Sequence, residues 1–121
     1  MSDLSAALNG LKDFSVKDVT SAMLKAAEGV ADSGWNQLKS LAEAQFRTLA
    51  EQSAKVVLMK SSGFLNTAEA EAWFSGIKLA ARDTFLAIQT VARNTLIKAW
   101  NAAIGVLVQQ LETATGIHFP V

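Results

Sequence analysis

Proline occurs once in this chain, at position 120, so no residue of that kind breaks a helix anywhere before it. Over the same stretch apolar residues recur at three- and four-residue spacing, the period of a helix with one buried face. Half of the 121 residues are apolar and the mean hydropathy is +0.23, which argues against disorder and for a packed core. Together these features predict an all-α protein. The expected architecture is a long antiparallel helical hairpin, or an elongated helical bundle, with a short N-terminal helix. At this length it forms a single domain over 1–121.

Local signals divide the chain. A short helix over 3–9 starts after Ser2 and stops at Asn9-Gly10, with Leu4 and Leu8 on a stripe that continues to Leu11. Ser15 and Asp18 read as a variant capping box for a second helix, whose stripe runs through Val16, Val19, Met23, Ala26 or Ala27, and Val30. Residues 16–60 are expected to be helical, with room for a kink or restart at 29–34, where Gly29 and Gly34 bracket Asp32-Ser33. From Trp35 the apolar stripe continues through Leu38, Leu41, Phe46, Leu49 and Val56. Opposite it, Lys39, Glu43, Arg47, Glu51 and Lys55 alternate in sign every four residues. That ladder reads as a solvated helix face supported by pairs such as Glu43–Arg47.

Lys60-Ser61-Ser62-Gly63 is the clearest break in the chain. Beyond it Asn66 is the expected cap of a helix with Glu69 at its third position. No obvious stop follows before Thr115-Gly116, so a helix over 67–114 is expected, about 70 Å long if unbroken. Gly76 or Gly105 would be the place for a kink. The tail, 115–121, reads as coil. A turn near residue 63 would set Phe85 opposite Ala42, Phe46 opposite Ala81 and Trp100 opposite Ala27, large against small.

Charge and motif content exclude several function classes. Acidic and basic residues cancel, eleven of each, and they also cancel in each half: seven of each sign over 1–60 and four over 61–121. A nucleic-acid binder normally carries a basic excess, so no nucleic-acid partner is expected. No window of about 18 apolar residues lacks a charge, so no transmembrane span is expected. The N-terminus shows no secretory signal, which makes the cytoplasm the expected compartment. With no Cys, no Tyr and the single imidazole of His118, catalytic, metal-binding and cofactor-binding sites are all expected to be absent. Lys60-Ser61-Ser62 is read as turn chemistry rather than a Ser–Lys pair.

The informative excess lies in the last helix. Between Asn94 and Leu111 the only charge is Lys98, and Ile97, Trp100, Ile104, Leu107 and Leu111 lie on one broad apolar stripe. A helix with one neighbour needs a stripe of only about 100°. Three covers would satisfy the excess: the first helix folding back, another subunit, or a hydrophobic surface. The expectation drawn from it is a non-catalytic helical interaction protein, a homo-oligomer or the partner of another helical protein, with the interface on those five residues. Ala-rich helices with Gln and Phe and neutral charge also resemble phasins, which coat polyester granules. The likeness implies amphipathic helices binding a lipid or polymer surface. Secreted helical-hairpin proteins are similar too, but Trp73-Phe74-Ser75-Gly76 departs from their WxG turn in spacing and in lying within a helix. A small-ligand carrier or an enzyme is the third reading.

Overall fold

The computed structural model describes residues 14–119. The expected helix over 3–9 lies outside them. Within them the chain is all-helical, with four α-helices and no strands among the described residues. These are α1 (Val16–Ala31), α2 (Trp35–Ser61), α3 (Thr67–Leu86) and α4 (Arg93–Thr115). A 3₁₀ turn, Asp32–Gly34, joins α1 to α2.

Several ends follow their local chemistry. Ahead of α1, Asp18 N–H donates to Ser15 Oγ at 3.3 Å. At the start of α3, Glu69 N–H donates to Asn66 Oδ1 at 2.8 Å, and Asn66 N–H donates to Glu69 Oε1 at 3.0 Å. This reciprocal capping box satisfies two amides that a helix start leaves without partners. Gly63 (φ 85°) turns the chain between α2 and α3, and Gly116 (φ 72°) closes α4 with its N–H on Glu112 O. Both adopt the left-handed conformation that a Cβ disfavours. Ser62 Oγ donates to Met59 O at 3.2 Å, a turn contact.

The break expected at 29–34 is a restart: α1 stops at Ala31 and α2 begins at Trp35. One expectation about continuity is corrected. The expected helix over 67–114 is two helices, separated by 87–92. No glycine or proline marks that second break, and neither Gly76 nor Gly105 interrupts its helix. The break is held by burial instead. Val91 is buried, Ile88 packs against the core, and the N-cap Ala92 makes no side-chain capping bond. Burying two branched apolar side chains outweighs the few helical hydrogen bonds lost there.

Neighbouring helices run in opposite directions. A Cβ placed on Gly34, just past the end of α1, would meet Val91 Cγ1 and Thr95 Cγ2 at 3.3 Å, so α1 ends where α4 begins. Grooves between α2 and α3 bring Met59 near Trp73 and Gln45 near Thr84. The most extensive packing is α1 on α4, followed by α1 on α2 and α2 on α3. One core threads all four helices, and its centre is aromatic. Phe46 stacks on Phe85 at 5.4 Å, and Phe85 meets Trp100 at 5.8 Å. At Phe46 and Phe85 the core thus also sets ring against ring, in addition to the small residues Ala42 within the same core and Ala81 packed against it. Offset aromatic pairs of this kind are favourable beyond the area they bury. The tail is non-helical after Thr115, yet Ile117 and Phe119 are buried, and Phe119 meets Phe74 edge-on at 5.3 Å.

Candidate functional site

The five residues expected to form an interface on the last helix lie within the chain's own packing. Trp100, Ile104, Leu107 and Leu111 are buried, and Ile97 is half-buried. Of the three possible covers for that stripe, the one realised is the chain itself, chiefly α1 folded against α4. The stripe is therefore not an exposed face of α4 in the folded chain. The physical reason is the break at 87–92, which lets α4 turn back and bury its broad stripe among the other helices.

Exposed apolar side chains collect elsewhere. Six large ones stand out among the described residues: Val30, Leu41, Leu58, Phe64, Trp73 and Leu79. Leu41 and Leu58 are on α2, Phe64 is in the turn that follows it, and Trp73 shares a groove with α2. Leu41 was expected on the buried stripe with Leu38 and Phe46 but is 44% exposed. At 100° per residue it falls about 60° from Leu38, off the edge of the buried face. Phe64 is the most exposed, at 80%, while its N–H still donates to Met59 O.

Two kinds of groove flank α2. On the α1 side, a groove of about 510 Å³ is lined by Val16, Lys17, Thr20, Ser21, Leu24, Glu43 and Arg47. On the α3 side, one of about 220 Å³ is lined by Gln52, Lys55, Met59, Trp73 and Ile77. Between them the outward face of α2 carries Lys39, Glu43, Arg47, Glu51 and Lys55, all exposed as the ladder implied. The expected pairs along the helix do not form. Among the described residues, none of these five charges reaches an opposite charge within 4 Å.

No family model, curated protein or solved structure matches this chain. Function is therefore read from the surface alone.

The remaining polar groups are few. His118 Nδ1 lies 2.8 Å from Glu112 Oε1, so the lone imidazole stands against a carboxylate of α4's last turn. The His118 side chain is otherwise solvent-exposed. No group of three or more His, Asp or Glu among the described residues is placed to hold a metal ion. No helix there is long and apolar enough to cross a membrane. Ser53 Oγ, fully buried in α2, has no hydrogen-bond partner. Nothing in the sequence distinguished Ser53 from any other helical serine.

Proposed function

We propose that this chain is a non-catalytic helical interaction protein, an up-and-down four-helix bundle that packs with copies of itself or with a helical partner. The surface offered for this role is the outward face of α2 with its flanks. One observation carries the reading: four of the six exposed large apolar residues, Leu41, Leu58, Phe64 and Trp73, lie on α2 or directly beside it. Exposed apolar side chains among charged residues are features of surfaces that meet another macromolecule. The apolar stripe of α4 would contribute to assembly only if α1 lifted away from it.

A second reading is a phasin-like binder of a lipid or polymer surface. It is supported by Phe64, exposed in the turn after α2 with Lys60 close by in sequence, because an aromatic tip beside a cation suits an apolar–aqueous boundary. Light scattering across protein concentration, with and without neutral phosphatidylcholine vesicles, separates the two. A stable oligomer without vesicles supports the first reading. A monomer that moves onto vesicles, and stops doing so in Phe64→Ser, supports the second. A monomer indifferent to vesicles overturns the second reading and the self-packing form of the first.

A further inference from the structure

We infer that the partner for the outward face of α2 is a second copy of the same helix, lying antiparallel about a two-fold axis between Arg47 and Glu51. This rests on the interaction reading above and names its partner. Charge order carries the inference. Lys39, Glu43, Arg47, Glu51 and Lys55 are exposed, alternate in sign, and find no opposite charge within 4 Å among the described residues. A two-fold axis between Arg47 and Glu51 sets Arg47 of one copy against Glu51 of the other, and Glu43 against Lys55. Symmetry repeats both contacts, because a two-fold interface presents the same patch twice. An axis passing through Arg47 instead sets Arg47 on Arg47, Glu43 on Glu51 and Lys39 on Lys55, like on like throughout. An axis between Glu43 and Arg47 also sets opposite signs together, Glu43 on Arg47 and Lys39 on Glu51, so sign leaves two axes, and the one between Arg47 and Glu51 is the one that helix overlap favours.

Geometry agrees with that axis. It falls beside Thr48, the midpoint of α2, which is the longest helix, so the overlap between two copies is as long as the helix allows. Residues four apart form ridges, and two helices crossing at about −50° lay such ridges alongside each other. Next to the charged ridge runs a row of small exposed residues, Ser40, Ala44 and Thr48. Short side chains there leave room for the long side chains of the other copy. Exposed ion pairs contribute little affinity individually, but their order selects partner and orientation.

The test is sedimentation velocity of the full chain over about a hundredfold range of concentration bracketing the dimer's dissociation constant. Arg47→Glu and Glu51→Arg are each expected to weaken dimerisation at least about tenfold, since each creates two like-charge contacts. Mixed in equal amounts, the two variants restore every pairing and are expected to recover the wild-type mass as a heterodimer. Lys39→Glu, outside the paired set, leaves the mass unchanged. All three positions are exposed, and matching helical circular dichroism shows that the fold is intact. A wild type that assembles while both single variants behave like it, or while their mixture fails to recover, overturns the two-fold pairing and leaves self-assembly through another face standing. A wild type that stays monomeric throughout overturns this pairing and self-assembly together.

Discussion

Phe85 and Trp100 pack with ring centroids 5.8 Å apart, although fifteen residues separate them in the chain. In an unbroken helix they would stand about 22 Å apart along the axis. Their contact thus records the reversal at 87–92 and ties α3 to α4 at the centre of the core. Phe46 of α2 stacks on the other side of Phe85, so a single ring joins three helices. Phe85→Ala is expected to cost about 3–5 kcal/mol, the range for a large buried aromatic truncated in a packed core. Urea denaturation checks this. A loss below about 1 kcal/mol would mean that the ring is not central to folding.

Ser53 offers a gain rather than a loss. Its hydroxyl is buried without a partner, and such a group costs about 1–3 kcal/mol in desolvation. Ser53→Ala removes the oxygen, keeps the Cβ and favours helix, so the midpoint of thermal unfolding is expected to rise. A fall would mean that the hydroxyl makes a bond in solution.

Ile104 and Leu107 distinguish core from surface. Both are buried within the chain, so Ile104→Glu or Leu107→Glu places a carboxylate among apolar side chains, at a cost of several kcal/mol. Loss of helical circular dichroism at room temperature is the expected result. Leu58→Glu, on the outward face of α2, is expected to keep its helicity. Dissociation of an oligomer with full helicity in Ile104→Glu would instead return the interface to α4.

The turn between α2 and α3 depends on two residues. Asn66→Ala removes the side-chain half of the capping box and is expected to cost about 1 kcal/mol. Gly63→Ala meets nothing within 4 Å, so its expected cost, also about 1 kcal/mol, comes from the left-handed backbone alone. The sites lie close together, and a double-mutant cycle measures their coupling. Additive losses are expected, because one effect is a hydrogen bond and the other a backbone conformation.

The sequence by itself determined the helical class, the capped start at Asn66, the left-handed turn at Gly63, the stop at Gly116, and the exposed charge ladder of α2. Each follows from contacts within a few residues, where period, capping chemistry and backbone sterics act directly. Tertiary structure alone decided the break at 87–92, which carries no proline or glycine and is held by burial of Val91 and Ile88. It also decided the fate of the α4 stripe. Periodicity counts apolar residues on a helix, but whether its own chain or another covers them depends on where the chain reverses. Leu41 and Trp73 show the converse: apolar by type, they are left exposed on α2 and α3 because the core has closed without them. The exposed apolar residues of α2 and α3 were hidden for the same reason. Exposure is a property of the packed whole, and residue type sets only the cost of leaving a side chain in water.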